Sequence, residues 1–165
     1  LMSGEKLAYD ALIWTAGVKG TVPECEKALP LQRKNRIFVN EFLQVKDSEG
    51  IIAFGDAACV IGSDGKPVFC SAQNAIDQGK YVARIIPYLL QNKKPPLPYK
   101  NKPHGFILSL GGKWAIADYP PIYVKGFLGF AINQLAHLRY FISIIGLWRG
   151  IKWLIFQEDL YSRND

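Results

Sequence analysis

The sequence predicts an α/β fold in which short buried strands lead into one long helix, followed by a strand pair and amphipathic C-terminal helices. Three observations support this prediction. The apolar run Ile51 to Phe54 is short and continuous, as in a buried parallel strand. From Ser71 onward, apolar residues recur at helical spacing. The chain has 165 residues, 49% of them hydrophobic and 21% charged, which is enough to build a globular core.

The first part of the chain contains three predicted strands. Ala11 to Trp14 is apolar and ends in a small-residue turn at Gly17. The stretch Ile37 to Val45 is rich in strand formers, and the Asp-Ser-Glu-Gly sequence at 47–50 is typical of a turn. Ile51 to Phe54 follows directly as the third strand.

One long helix is predicted after these strands, with Ser71 as its N-cap. Its apolar stripe consists of Ala75, Gly79, Val82 and Ile86. Pro87 has no amide hydrogen and clashes with the preceding turn, so the helix is expected to kink or restart there. The sequence Asn-Lys-Lys-Pro-Pro at 92–96 is predicted to be a solvated linker and the main internal boundary.

After the linker, residues 105–112 and 113–118 are expected to form two strands joined at Gly111-Gly112. The tail that follows is apolar, but its longest uncharged runs, 126–138 and 140–148, have only 13 and 9 residues. A helix that spans a bilayer needs about 20. We therefore do not expect a transmembrane segment.

The last tail helix is expected to be amphipathic. Leu147, Trp148, Ile151, Leu154 and Ile155 would form its apolar stripe. Arg149, Lys152 and Phe156 fall on the opposite side, as in helices that lie at a membrane surface. With Trp153, these three residues are the candidate membrane contacts. A helix that packs on a partner subunit would show the same stripe, so both interpretations stay open.

Composition and charge exclude several classes of function. The net charge of +6 comes from residues 60–165, which suits an anionic lipid surface or an acidic ligand. The basic residues are interrupted by apolar stretches, which argues against nucleic-acid binding. Cys25, Cys59 and Cys70 have no C-x-x-C spacing, so we expect neither a metal site nor a dithiol redox centre. A disulfide between Cys59 and Cys70 stays open.

The most informative motif is Gly55-Asp56, followed by Ala72-Gln73 at the start of the helix. Gly has no Cβ, so its backbone can approach a phosphate closely. The Asp carboxylate can accept hydrogen bonds from sugar or ribityl hydroxyls, and free helix amides can face polar atoms of a cofactor. The alternative interpretation of Gly-Asp alone is a tight turn in which Asp caps a helix.

These motifs, with the earlier strand and turn ending in Thr15-Ala16-Gly17, resemble the C-terminal half of the type II NADH dehydrogenases, which are single-subunit, FAD-containing NADH:quinone oxidoreductases. The resemblance implies a Rossmann-like FAD/NAD(P)-binding flavoprotein fold. It implies that FAD is bound by Thr15, Ala16, Gly17, Gly55, Asp56, Ala72 and Gln73. Gln73 and Gln78 are the candidates for the quinone site. The flavin carries the redox chemistry, so no side chain is assigned as catalytic.

The resemblance also implies an organisation for the chain. Residues 1–20 would end an NADH-binding domain, 21–92 would form the C-terminal part of the FAD domain, and 93–165 would dock on a membrane or pair two protomers. No G-x-G-x-x-G occurs, so we expect a fragment that is inactive alone, from a parent that uses NADH. The expected location is the cytoplasmic face of the cell membrane, as a peripheral homodimer.

The sequence departs from the family at 69–71, where Phe-Cys-Ser replaces the prolines that commonly precede Ala-Gln. This puts the shape of that loop in doubt. Two alternatives stay open. One is a non-catalytic module for membrane association or dimerisation. The other is an enzyme like sulfide:quinone oxidoreductase, although the cysteines lack the expected arrangement.

Overall fold

The computed structural model describes residues 6, 8, 10–13, 17, 19–26, 28–102 and 104–162. The chain forms two compact units, residues 1–102 and 103–165. The boundary between them lies after the one predicted at 92/93. Residues 97–101 are held in the first unit because the Tyr99 amide donates to the Glu41 carbonyl and the Tyr81 hydroxyl donates to the Leu97 carbonyl. The rings of Tyr81 and Tyr99 also meet edge to face, 5.5 Å apart.

The first unit contains a small mixed sheet. Its strands are β1 (Leu31–Gln32), β2 (Arg36–Phe38) and β3 (Ala58–Cys59), in the order β1-β2-β3. β1 and β2 are antiparallel, whereas β2 and β3 are parallel, with Ile37 opposite Ala58. The core that lies against this sheet consists of Ile37, Val39, Leu43, Val45, Ala53, Ala58, Val60 and Val82.

The predicted single strand at Ile37 to Val45 is wrong, because the chain folds back at Asn40. The Asn40 carboxamide oxygen accepts hydrogen bonds from the Phe42 and Gln44 amides, at 2.8 and 3.0 Å. Leu43, fully buried, takes a positive φ of 59°. An Asn side chain that bonds to nearby amides offers the backbone an alternative to a strand ladder. Val45 therefore bridges back to Val39.

The predicted parallel strand at Ile51 to Phe54 is also wrong. After the turn at 47–50, these residues run antiparallel to the segment that precedes the turn. The Ala53 amide donates to the Leu43 carbonyl, and the Val45 amide donates to the Ile51 carbonyl. Within this run only Ala53 is buried. The parallel partner of β2 is β3, which begins after Gly55–Ala57.

The predicted buried strand at Ala11 to Trp14 is not observed in the residues that the structure describes. Ala11 to Ile13 form no strand, and Ile13 is 87% exposed. A buried strand needs a neighbour that completes its ladder, and the described ladders of this unit join other segments. Trp14 lies outside the described residues.

Helix α1 spans Ala72–Leu90, and Ser71 is its N-cap as predicted. Its buried residues are Asn74, Gln78, Val82 and Ile85, so the buried stripe differs from the predicted one, and Ile86 is exposed. Two polar residues can occupy this stripe because both find hydrogen-bond partners inside the unit. The helix continues through Pro87 to Leu90 instead of restarting, since a proline this close to the end removes only one helical hydrogen bond.

The second unit is an antiparallel sheet followed by two helices. β4 (Phe106–Ser109) and β5 (Ala115–Tyr119) form the predicted pair, joined by a turn in which Gly111, Gly112 and Lys113 have positive φ. A third strand, β6 (Ile122–Gly126), was not predicted and pairs with β5. It follows the dipeptide Pro120-Pro121, which turns the chain so that Tyr119 lies opposite Ile122.

Helix α2 (Phe127–Ile145) packs on this sheet and on helix α3 (Leu147–Ser162). α2 lies close to the sheet at Gly129, where an added Cβ would overlap the Ala115 carbonyl oxygen. Phe141 of α2 stacks on Trp153 of α3, with 4.8 Å between ring centroids and 9° between planes. Across the described part of the chain, no helix combines the length and the apolar character that crossing a membrane requires.

Candidate functional site

The candidate site is a cleft in the first unit, between the Gly55–Ala57 turn, β2 and the beginning of α1. The cleft is shallow, and its space of about 200 Å³ includes the open solvent in front of it. A larger ligand could therefore contact it with one segment only. Its lining residues include Arg36, Gly55, Asp56, Cys70, Ser71, Asn74 and Gln78.

Gly55 opens a single 3-10 turn, Gly55–Ala57, at the edge of the cleft. Its φ of +68° lies in the region that favours glycine, and its Cα faces Ala75 of α1. The Gly55 amide donates to the Gln78 side-chain oxygen at 2.7 Å. This bond ties the turn to the helix.

Asp56 lies in that turn and lines the cleft, with its side chain exposed. The sequence placed it at the end of a buried strand, whereas it precedes β3. This correction leaves its relation to the helix unchanged, because Asp56 shares the cleft with Ser71, Asn74 and Ala75 at the beginning of α1. The carboxylate is free to accept hydrogen bonds from a ligand.

Ser71 caps α1 through its hydroxyl oxygen, which accepts from the Asn74 amide at 3.2 Å. Ala72 and Gln73 lie in the first turn of the helix and are exposed. Neither of them is among the cleft-lining residues. The amides of a first helical turn have no partner within the helix, so these two can donate to a ligand that extends beyond the cleft.

Gln78 differs from Gln73 in its surroundings. It is 3% exposed, and its side-chain oxygen accepts from the Gly55 amide. Burial raises the pKa of Tyr99, the hydrogen bond from Gln78 lowers it, and the charge of Asp77 raises it, with a net rise. Gln78 therefore positions the Gly55 turn, whereas Gln73 faces open space.

Thr15 and Ala16, two of the predicted cofactor contacts, lie outside the described residues. Gly17 is described, with a φ of +70°, and its nearest neighbour on the Cβ side is the Lys34 ammonium nitrogen at 3.6 Å. Gly17 is not among the residues that line the cleft. Its role in a cofactor site stays a prediction.

Sequence reasoning missed two cleft residues, Arg36 and Asn74. One Arg36 guanidinium nitrogen (Nη1) donates to the Val68 carbonyl at 3.4 Å and to the Cys70 sulfur at 3.2 Å. The side-chain nitrogen (Nδ2) of Asn74 donates to the Phe69 carbonyl at 2.9 Å. Arg36 Nε and Asn74 Oδ1 are buried without a partner. Asn74 lies one turn before Gln78 on the same face of the helix. A polar residue at that spacing was the signal in the sequence that could have identified it.

These observations test whether a flavin cofactor fits. A phosphate or polyol segment needs close backbone approach, hydrogen-bond acceptors and donors, and the cleft offers all three at Gly55, Asp56 and Arg36. The residues present therefore fit such a segment.

The cysteines are not paired with one another. Cys25, Cys59 and Cys70 are free thiols, so the disulfide that was left open is not formed. Within the described ranges, no group of three or more His, Cys, Asp or Glu could hold a metal ion.

In the second unit, the candidate membrane residues all lie on α3. Arg149, Lys152 and Phe156 are exposed, and Trp153 is partly covered by Phe141. Between residues 147 and 156 of α3, Gly150 is buried against α2, and a Cβ there would lie 3.0 Å from the Ile142 amide nitrogen. Trp148, on the predicted apolar stripe, is 80% exposed. The helix thus presents both cations and large apolar side chains to its surroundings.

Comparison with known proteins first defines the class. Residues 1–79 match the family model of the pyridine nucleotide-disulphide oxidoreductases, and the mixed helix and strand content fits an α/β flavoprotein fold. The chain is 34% identical to the type II NADH:quinone oxidoreductase of Haemophilus influenzae over 82% of its own length and 32% of that protein. It is 28% identical to a probable NADH dehydrogenase of Dictyostelium discoideum, over 98% and 36%.

A third relative is the demethylphylloquinone reductase of Synechocystis, which is 29% identical over 96% of this chain and 39% of that protein. The chain spans about a third of the length of these curated relatives. It is a type II NADH dehydrogenase-like chain, and the resemblance inferred from Gly55-Asp56 and Ala72-Gln73 is confirmed.

Proposed function

We propose that this chain forms part of an NADH:quinone oxidoreductase and holds one segment of its FAD. One observation carries the proposal: Gly55, Asp56 and the beginning of α1 line a single cleft, in which Gln78 fixes the Gly55 turn at 2.7 Å. The family match and the relatives named as NADH:quinone oxidoreductases support the same reaction class.

Bound FAD would accept a hydride from NADH and pass electrons to a quinone. The residues of this chain bind and orient. Gly55 lets the backbone approach the diphosphate, and Asp56 accepts hydrogen bonds from ribityl hydroxyls. The amides of Ala72 and Gln73 donate to the polar edge of the flavin ring. Thr15, Ala16 and Gly17 are our further candidates for contact with FAD.

Gln73 is our candidate for quinone contact, because its side chain is exposed beside the helix amides. Gln78, the other candidate from the sequence, contributes through the Gly55 turn, since its side chain is already engaged. A carboxamide can donate to a quinone carbonyl oxygen, which is the polar group a quinone offers. Replacing Gln73 should therefore change the KM for quinone.

The test of the FAD site is Asp56→Ala in the full natural protein. Hydrogen bonds to a charged group contribute about 1.5–3 kcal/mol, so loss of this carboxylate should weaken FAD binding by roughly ten- to a hundredfold. Flavin released on dilution, measured by its fluorescence, gives the Kd. Glu49→Ala is the matched control, because it removes an exposed carboxylate outside the cleft. Equal flavin affinity in the two variants would defeat the assignment of Asp56.

We also propose that α3 docks the protein on the cytoplasmic face of the cell membrane as a peripheral homodimer. Arg149 and Lys152 can reach anionic headgroups, while Trp148, Trp153 and Phe156 supply aromatic rings for the interface. Each cation near an anionic surface contributes about 1 kcal/mol. The exposed apolar side chains of α3 also suit pairing with a second protomer.

Vesicle sedimentation tests this docking. The pair Arg149→Gln and Lys152→Gln should lower binding to vesicles that contain phosphatidylserine by roughly tenfold or more, and should have little effect on neutral vesicles. The control pair, Lys66→Gln and Lys93→Gln, removes the same charge from exposed positions of the first unit. If both pairs reduce binding equally, net charge alone and not α3 attracts the protein to lipid.

A further inference from the structure

One glycine anchors the segment that precedes the sheet of the first unit. Among the residues from 6 to 26 that the structure describes, Gly20 is the only one that is buried. Ile13 and Lys19 before it are exposed, and Val22 after it is half-buried against the core. No described residue of this range belongs to a helix or a strand, so neither kind of element holds the segment in place.

Gly20 is held by the turn between β1 and β2. Its amide donates to the Lys34 carbonyl at 2.9 Å, and the side-chain nitrogen (Nδ2) of Asn35 donates to its carbonyl at 3.0 Å. A Cβ at position 20 would lie 2.5 Å from the Asn35 carbonyl oxygen, so this close approach requires glycine. Both backbone polar groups of Gly20 are thus paired with one turn, and we call this contact the Gly20 clamp.

The turn itself contributes to the clamp without contributing to the core. Lys34 and Asn35 both take positive φ, 63° and 56°, and both are exposed. Asn adopts this conformation more readily than most residues, because its short polar side chain can form local hydrogen bonds. The Lys34 ammonium nitrogen also lies near Gly17, 3.6 Å from the position of a Cβ. The turn therefore fixes the path by which the chain enters the unit.

We propose that Asn35 is a positioning residue for the reaction with NADH, because the Gly20 clamp keeps the NADH-binding domain aligned with the flavin. This inference rests on the proposed function and on the expected organisation, in which residues 1–20 end that domain. The family model matches residues 1–79, a range that contains both sides of the clamp. A hydride is transferred only between closely aligned atoms, and a misplacement of about 1 Å can slow a reaction roughly a hundredfold.

The test replaces Asn35 by Asp in the full natural protein. Asp is similar in size and also tolerates positive φ, but its carboxylate cannot donate to the Gly20 carbonyl. Asn92→Asp is the matched control, because Asn92 is exposed, has a φ of 54° and lies just after α1. Gly20→Ala is a second, independent variant, since its Cβ would push the segment away from the turn.

Two kinds of measurement separate positioning from stability. Amide hydrogen exchange at residue 20, which does not depend on activity, should be about two- to tenfold faster in Asn35→Asp, as expected for one lost hydrogen bond. Anaerobic reduction of the bound flavin by saturating NADH, followed by stopped-flow absorbance, should be about three- to tenfold slower. Reoxidation of the reduced flavin by a short-chain quinone should keep its rate, because NADH takes no part in it. Gly20→Ala should show the same pattern, and Asn92→Asp should match the wild type.

The outcomes distinguish this inference from the proposed function. Faster exchange at residue 20 with an unchanged rate of flavin reduction would overturn the inference, because the clamp would then hold the segment without aligning the domain. Equal slowing of both flavin steps would also overturn it, since the loss would then be one of general stability. Unchanged exchange in Asn35→Asp and Gly20→Ala would show that the clamp is not the anchor. The proposed function fails differently: the wild type itself would then bind no flavin, or NADH would not reduce the flavin it binds.

Discussion

Replacing Gln78 by Met tests whether the Gly55 turn is held by the helix or stands by itself. The Gly55 amide donates to the Gln78 side-chain oxygen at 2.7 Å. Met has a similar length and no acceptor of comparable strength. Gln78→Met therefore removes this hydrogen bond and changes the packing of the buried position very little.

The expected cost follows from the Gly55 amide, which is left without an acceptor in a partly buried turn. An unsatisfied donor of this kind costs about 1–3 kcal/mol. At about 2–4 °C per kcal/mol for a protein of this size, the melting temperature should fall by roughly 4–8 °C for the central value of about 2 kcal/mol. The turn itself should open more often, so FAD affinity should fall as well.

The matched control is Gln73→Met, the same substitution on the same helix at an exposed position. Exposed substitutions usually change stability by less than about 0.5 kcal/mol. Thermal unfolding gives the stability, and amide hydrogen exchange of the peptide that contains Gly55 reports on the turn directly. Unchanged exchange at Gly55 in Gln78→Met would refute the argument, because the turn would then hold without its side-chain acceptor.

Further predictions concern two helical glycines and one tyrosine. Gly79→Ala should raise the free energy of unfolding by about 0.5–1 kcal/mol, since its Cβ would meet only the Phe54 ring at 3.5 Å and Ala favours a helix. Gly129→Ala should lower the free energy of unfolding by about 1–3 kcal/mol, because the added Cβ would overlap the Ala115 carbonyl. Urea unfolding measures both variants, and a change of the same sign in the two would contradict this packing argument. The pKa of Tyr99 is raised, mainly by burial, so its contribution to stability is complete below pH 10.0 and is lost as the pH rises through the folded-state value. Tyr99→Phe should accordingly flatten the decline in unfolding free energy between about pH 9 and 11, and an equally steep decline would contradict this origin.

Local signals in the sequence predicted local structure well. Ser71 caps α1 through its own hydroxyl, and Gly111-Gly112 supplies the positive φ angles of the turn between β4 and β5. In both places, the residues that determine the conformation lie within four positions of one another. Their chemistry is therefore visible in the sequence without knowledge of the tertiary fold.

Strand pairing was predicted less well, because it depends on partners that are distant in the sequence. Ile51 to Phe54 has the composition of a parallel strand, yet it lies antiparallel to the segment before it. The parallel partner of β2 is Ala58–Cys59, a pair of residues without any strand signal of its own. Asn40 decides this arrangement through two short hydrogen bonds that end β2 early, and the strand formers around it hide that effect.

The candidate site shows the same division between local and distant determinants. Gly55 and Asp56 were found because a Gly-Asp turn has a local chemical meaning. Arg36 and Asn74 were missed because their orientation comes from the backbone of 68–70, which contacts them across the unit. Residues 69–71 are also where the sequence departs from the family, so the hydrogen bonds that orient both side chains lie in a loop whose shape the resemblance left in doubt.

Polar groups in this cleft fall into two sets, and the difference between them indicates which residues position and which bind. The Gln78 side chain is engaged inside the unit, and its removal should act through stability. Arg36 and Asn74 are engaged through only some of their polar atoms and keep one buried atom each without a partner. Their hydrogen bonds go to the segment 68–70, so replacing Arg36 or Asn74 should loosen that segment, whereas replacing Gln78 should loosen the Gly55 turn. Amide hydrogen exchange of the two segments separates these effects, because each variant should speed exchange in its own segment only.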